Sequence, residues 1–367
     1  MHFMKICFLS LNSYPILAEK NLGSAGGAEL QQVLLARELA SYGYDVSFVT
    51  YDHGQKDVSY VGKIEVIKVY RREKAYEMSS FSKLRYVWKA LNRADADLYI
   101  YSAGSHGILP FFCLIKKKKF IYRVPLDTIA LGKTRKPIAR LTERLDIRKA
   151  DVVVVQSEFQ RRKLVENFGV EGVVIRNALP IPQATCEKRV SPTVLWVASI
   201  SEVKRPQLFI QLARAIPNAH FEMVGGKSRE YPQLYKKIWD STRNLPNLIF
   251  HGFIPLHKID KYFKRASIFV NTSSVEGFPN TFLQAWAHYT PVVSLNIDPD
   301  GIIQRNKLGF CSKTFKQLVS DVTILLENRK LRKKMANNAR KYVEKEHDIG
   351  KIARQYLSIF EPLYWEK

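Results

Sequence analysis

Short, wholly apolar runs recur along this chain, each closing on a small or polar turn and giving way to a segment of helical period. Residues 5–11 are the first such run, apolar through the middle on both faces. A strand with one face in water alternates; one buried on both faces does not, and that is the habit of parallel sheets. The pattern returns at residues 45–51, 64–70, 98–101, 119–124 and 152–156. These runs predict one parallel sheet with helical crossovers. It starts afresh at residues 193–199, 221–224, 248–250 and 268–270. A chain of 367 residues exceeds one ordinary core. The expected division is therefore two Rossmann-like α/β domains, residues 1–180 and 181–348, with a closing helix over 349–367. Pro180, Pro182 and Pro192 bracket a polar stretch that reads as the linker between them.

In such sheets ligands gather beyond the carboxyl ends of the strands, so the turns there hold the candidate site. The richest turn runs from Ser273 through Glu276, Gly277, Phe278 and Pro279 to Ala287. It reads as a strand end, a tight turn on Gly277 and a helix starting at Pro279, whose fixed φ suits a first turn. The N–H groups of that turn, with the positive end of the helix dipole, suit a phosphate. Glu276, an acceptor when ionised, suits sugar hydroxyls, although acids are favoured at helix starts in any case. Gly26 and Gly27 stand between the first strand and its helix, where missing Cβ atoms let backbone amides approach a diphosphate. They lack the G-x-G-x-x-G spacing, and paired glycines also serve as plain turns. His106, in a loop after a strand, suits a general base or a polariser near the sugar, or is simply solvated. Asp95 with Asp97, and Asp298 with Asp300, sit poorly for holding a metal, so no metal or other cofactor is expected.

Taken together, Glu276-Gly277-Phe278-Pro279 through Gln284, followed by Pro291-Val292-Val293, is similar to the E-x7-E signature of the family 4 (group 1) retaining glycosyltransferases. The resemblance implies the GT-B fold, two Rossmann-like domains facing across a cleft, with the last helix crossing back to the first domain. It implies that Glu276 contacts the transferred sugar and that Gln284, where the family carries a second Glu, holds the ribose hydroxyls. Lys204 looks like the family's phosphate-binding lysine. The family's Arg five residues earlier is replaced by Ser199, which makes Arg205 a candidate second cation. Arg123 stands where many members carry a His near the donor. The Gly26-Gly27 loop resembles the one that closes over pyrophosphate and acceptor, and Asn177-Ala178 resembles the family's Asn-Gly interdomain turn. Gly225 and the Gly252-Phe253-Ile254 stretch would cup the nucleotide, with Gly277, Phe278, Asn280 and Thr281 lining the donor. The implied reaction moves a sugar from a nucleoside-diphosphate sugar to a hydroxyl, without a metal and with retained configuration. A glycan or lipid-linked acceptor of bacterial surface-polysaccharide assembly is the expected partner. Gln284 and Ser199 also fit a non-catalytic relative, and another GT-B enzyme such as a nucleotide-sugar epimerase stays open.

The net charge of +24 is spread over both halves, and it invites nucleic acid or an anionic membrane surface. No RRM, KH, helix-turn-helix or zinc signature accompanies it, so nucleic acid is not expected. The densest cluster is Arg71, Arg72, Lys74, Lys83, Arg85, Lys89 and Arg93, interleaved with Phe81, Tyr86, Val87, Trp88 and Leu91. This segment reads equally as an amphipathic helix lying on acidic headgroups or as a core-facing helix with a solvated basic back. Four cysteines without paired spacing imply neither zinc nor disulfides, hence a reducing compartment. The apolar run at 6–11 reads as a buried strand rather than a signal peptide. Residues 107–115 are too short to span a bilayer and are broken by Pro110. The expected location is cytoplasmic, at the inner face of a membrane.

Overall fold

The structure is a computed structural model of the chain, and it describes residues 4–20, 26–102, 107–134, 136–183, 191–228 and 230–365. It divides into two compact units. One holds the chain through Ala178 together with residues from Ile349 onward; the other is Leu179–Asp348.

The first unit opens with β1 (Lys5–Leu9), the short α1 (Tyr14–Leu17), α2 (Gly27–Ser41) and β2 (Asp45–Asp52). There follow β3 (Val58–Val61), β4 (Ile64–Arg71), α3 (Ser80–Ala94), β5 (Leu98–Tyr101) and α4 (Ile108–Lys116). Then come β6 (Lys119–Arg123), α5 (Asp127–Ala130), α6 (Pro137–Lys149), β7 (Val152–Val155), α7 (Glu158–Phe168) and β8 (Val173–Val174). The sheet order is β3-β4-β2-β1-β5-β6-β7-β8. Every pairing is parallel except the β3–β4 hairpin at one edge. Strand alternation sorts the side chains: Tyr99 and Tyr101 of β5 join the core under α3, α4, α6 and α7. Ile100 faces the opposite side, with Gln31 and Leu35 of α2.

The second unit runs β9 (Thr193–Val197), α8 (Pro206–Ala215), β10 (His220–Val224), α9 (Pro232–Thr242) and β11 (Leu248–Phe250). It continues with α10 (Asp260–Arg265), β12 (Ile268–Asn271), α11 (Asn280–Ala287), β13 (Val292–Ser294) and α12 (Ile302–Arg305). β14 (Gly309–Cys311), α13 (Phe315–Glu327) and α14 (Arg329–Glu346) complete it. Its order, β11-β10-β9-β12-β13-β14, is parallel throughout. The winding reverses between β9 and β12, which makes the gap beyond their carboxyl ends the topological switch point. The closing helix α15 (Ile349–Trp365) belongs to the first unit, packs on α2 and buries Ile352, Ala353, Tyr356 and Phe360.

Several local expectations are corrected. β3 breaks the all-parallel pattern because its four residues are half exposed at an edge, where no apolar run is needed. α11 begins at Asn280, not Pro279: Pro279 is its extended N-cap, with ψ at 118°. The basic helix α3 divides the two readings given above along its length. Val87, Ala90, Leu91 and Ala94 are buried against the sheet, whereas Phe81, Leu84 and Tyr86 in its first half are exposed.

The edge strand β14 depends on one glycine. Gly309 has φ +151°, and a Cβ there would lie 1.8 Å from the carbonyl oxygen of Val292. Gly309→Ala is expected to cost more than about 4 kcal/mol in urea unfolding, or to prevent folding. Gly62→Ala, at φ +59° with nothing within 4 Å, is expected to cost only about 1 kcal/mol.

Candidate functional site

At the switch point of the second unit the loop after β9 meets the loop after β12. A 3-10 turn at Glu202–Lys204 carries Lys204, whose Nζ is ion-paired with Glu276 from 72 residues further on. Both side chains keep partial access to solvent, 24% for Lys204 and 12% for Glu276. Beneath them lies a hydrogen-bond lattice. Thr272 Oγ1 donates to the Lys204 carbonyl at 2.7 Å and accepts from Trp196 Nε1 at 3.0 Å. Arg205 donates from Nε to Thr272 O at 2.7 Å and from Nη2 to Ser273 O at 2.9 Å. Ser274 N donates to Val203 O at 2.8 Å. With its amide turned to satisfy both ends, Asn296 also accepts from Arg205 and donates to Leu295 O. Burial lowers the Arg205 pKa from its ordinary value, yet a guanidinium stays charged. Arg205 therefore serves as a clamp between loops, not as the free second cation expected from the sequence. Sequence reading missed Thr272, Trp196 and Asn296. The only available signal was a polar residue directly after an apolar strand.

The residues of the Glu276 motif divide between site and core. Gly277 is buried, and Asn280 and Thr281 are half-buried in the first turn of α11. Gln284 follows one turn on, at 7% exposure. Phe278, expected to line a donor, points instead into the core, its ring 5.0 Å from that of His347 and 6.4 Å from that of Trp286. Burying such a ring stabilises the unit by about 2 kcal/mol, which explains its place in the motif. Gly225 is likewise set by packing: a Cβ there would lie 2.5 Å from Ala198 O. At Gly226 the neighbour is the ring of Phe253, 2.8 Å from a built Cβ. Phe253 itself is 38% exposed at this edge.

Next to Phe253, His251 joins a charge cluster around the buried Glu222 that sequence reading also missed. Glu222 on β10 is paired with Arg265 at the end of α10 and lies 3.1 Å from His251 Nε2. The Arg265 guanidinium stacks 4.5 Å from the Tyr262 ring centre. Burial opposes the Glu222 charge, but hydrogen bonds from His251 and Arg265 and the attraction of both outweigh it and hold the pKa below the ordinary value.

In the first unit, Gly26 is the N-cap of α2 and Gly27 its first residue. The Glu29 carboxylate folds back so that a Cβ on Gly26 would meet it at 2.0 Å. This helix start is occupied by the chain's own anion. Arg123, expected near a donor phosphate, is 4% exposed and donates to the Asn177 side chain. It lines the same small cavity as Tyr356 of α15, and its charge opposes the rise that burial gives the Tyr356 pKa. Its charge is thus turned inward, toward Asn177 and α15. Ala178 N donates to Gln31 Oε1 at 2.6 Å and its carbonyl accepts from Gln31 Nε2 at 2.9 Å. His106 lies outside the described residues. Among the described residues no cluster of three His, Cys, Asp or Glu side chains gathers at one point. Asp97 accepts from Lys5 N, Asp95 pairs with Lys118, and Asp298 accepts from Ile303 N at the start of α12.

Comparison with known proteins places this geometry in context. Residues 181–342 match the family described as glycosyl transferases group 1, and residues 25–181 match glycosyltransferase family 4. The chain is similar to an uncharacterized glycosyltransferase of Haemophilus influenzae, 23% identical over 352 residues, covering 92% of this chain and 97% of the relative. It is also similar to the O-antigen biosynthesis glycosyltransferase WbnH of Escherichia coli, 22% identical over 230 residues, 60% of this chain and 64% of that one. Among solved structures, HepE of Anabaena in complex with UDP and glucose superposes with a TM-score of 0.76 at 17% identity, covering 98% of this chain and all of that one.

Two outcomes test the lattice. Arg205→Lys keeps the charge but cannot bridge two carbonyls; it is expected to lower stability by about 1–2 kcal/mol and to speed amide exchange across residues 272–277. For Glu222 the depressed pKa fixes the sign: its stabilisation is complete above the ordinary carboxylate range and is lost as pH falls through the lowered value. Glu222→Gln is therefore expected to destabilise at neutral pH and to flatten the fall of stability in acid, as read by urea unfolding at a series of pH values.

Proposed function

Because the chain belongs to the group 1, family 4 glycosyltransferases, we propose that it moves a hexosyl unit from a nucleoside-diphosphate sugar to a hydroxyl acceptor with the anomeric configuration retained. The observation that carries this reading is the meeting of Lys204 and Glu276 at the switch point of the second unit, where sheets of this kind bind ligands. Support for a uridine donor comes from the Anabaena relative, which was solved with UDP and glucose.

The bond from the anomeric carbon to the diphosphate oxygen breaks, and charge builds on the leaving diphosphate. Lys204 and the positive end of α11 stabilise that charge without reorganising, so the reading calls on no metal. Glu276 accepts hydrogen bonds from the sugar hydroxyls. The acceptor hydroxyl attacks on the face that the diphosphate leaves, and its proton departs with that group. Phe253 offers a ring to the base, and Gln284 binds the ribose diol by donating and accepting without a charge. Before a donor arrives, Lys204 and Glu276 neutralise each other. An incoming diphosphate competes for the lysine and so frees the carboxylate for the sugar. Similarity to an O-antigen glycosyltransferase supports a glycan or lipid-linked acceptor in bacterial surface-polysaccharide assembly, met on the cytoplasmic face of the membrane.

Glu276→Ala and Lys204→Ala are each expected to lower kcat/KM about a hundredfold or more. The double variant should fall well short of the product of the two losses, because paired groups act as a unit. In a thermal-shift screen of UDP-, GDP- and ADP-sugars, UDP-glucose should raise the Tm most. Turnover untouched by both single substitutions would overturn the assignment.

A further inference from the structure

Three neighbouring helices on one face of the first unit carry apolar side chains that are exposed among the described residues. On α3 the buried face runs through residues 87, 91 and 94, and a second stripe beside it, Phe81, Leu84 and Trp88 at i, i+3 and i+7, is partly bare: Phe81 is 76% and Leu84 38% exposed. The Trp88 ring continues this surface onto α4, 6.0 Å from the ring of Phe111. Phe111, Leu114 and Ile115 of α4 are 60%, 76% and 52% exposed. α6, which packs on α4, adds Ile138, Leu141 and Leu145 at i, i+3 and i+7, all exposed.

The charges around this patch are almost all of one sign. α3 has Lys83, Arg85, Lys89 and Arg93 and no acid. α4 ends in Lys116 and has no acid. α6 has Arg140, Arg144, Arg148 and Lys149 against Glu143, which is hydrogen-bonded to Thr134, and Asp146, which is buried. Apolar and aromatic side chains ringed by cations match a surface with an apolar interior and an anionic rim. A second copy of this chain would set cations against cations, at a net charge of +24 each. Protein interfaces are also poor in lysine at their centres.

We propose that the α3, α4 and α6 face docks on an anionic lipid bilayer, with Phe81, Phe111, Leu114 and Ile138 entering the headgroup boundary and the arginines and lysines pairing with lipid phosphates. None of these residues belongs to the candidate site. The proposal does not rest on the glycosyl-transfer reading, which donor hydrolysis in vesicle-free buffer reads separately.

The test is co-sedimentation of the full chain with vesicles of phosphatidylcholine alone or with about one-third phosphatidylglycerol. Binding is expected only to the anionic vesicles, weakened but not abolished at about 0.5 M salt, since the apolar contacts are not screened. Leu114→Glu and Ile138→Glu should each lower the partition roughly fivefold or more, and Lys89→Glu should do so at low salt. These positions are exposed, so the circular-dichroism melts should match that of the parent. Equal binding to neutral vesicles, complete release by salt, or partition unaffected by Leu114→Glu would overturn the proposal. A dimer in solution that Leu114→Glu dissociates would overturn it in favour of a second copy.

Discussion

Two loops that leave β9 and β12 are joined by hydrogen bonds from Arg205, Thr272 and Ser274, and the rest of the candidate site depends on that joint. The sheet alone brings the ends of the two strands side by side, because parallel strands with reversed winding leave a gap there. A gap does not fix a side chain. The fork geometry of one guanidinium, spanning two successive carbonyls, sets the distance between backbones within a narrow range. Lys204 then sits one residue from the clamp on one side and Glu276 three residues from it on the other. The two opposite charges gain little energy from each other at partial exposure, on the order of 1 kcal/mol. Their value lies in position, which the lattice supplies.

Much of this was legible in the sequence. Strands buried on both faces leave continuous apolar runs, so both sheets and most strand positions followed from periodicity. Glu276 was marked by its place after a strand, and Lys204 by the family resemblance. Arg205 and Arg123 were legible as cations, but sequence does not say what a cation faces. One faces carbonyls and the other faces Asn177 and Tyr356. The pairings that support the site were not legible. Thr272 and Trp196 act through contacts between positions 76 residues apart, and no local pattern encodes a pairing at that range. β3 escaped for a related reason, since an edge strand half in water needs no apolar run.

A motif mixes two kinds of constraint. In the stretch around Glu276, only some positions face the carboxyl edge; Phe278, Phe282 and Trp286 form the packing that holds α11 against the sheet. Gly225 shows the same mixture. It reads as an opening for a ligand, yet the space that its side chain would need is taken by Ala198 O. Such residues serve the chemistry through the backbone they fix. A substitution at Phe278 and one at Glu276 would both impair the site, but only the first would do so by loosening the unit.

The basic helix α3 shows why composition and period left two readings open. A stripe at i, i+3 and i+7 records that one side of a helix avoids water, and nothing in it records how far the covering sheet extends. Around α3 the cover is partial: Val87 and Leu91 lie on the sheet while Phe81 and Leu84, on the neighbouring stripe, do not. The apolar pattern is broad because both stripes meet an apolar medium. For one stripe that medium is the core. For the other it has to be something outside the unit, and the uninterrupted run of cations beside it narrows what that can be to a partner carrying negative charge. Helices of uniform period and two-part burial are thus a place where fold and interaction share one signal, and only coordinates separate them.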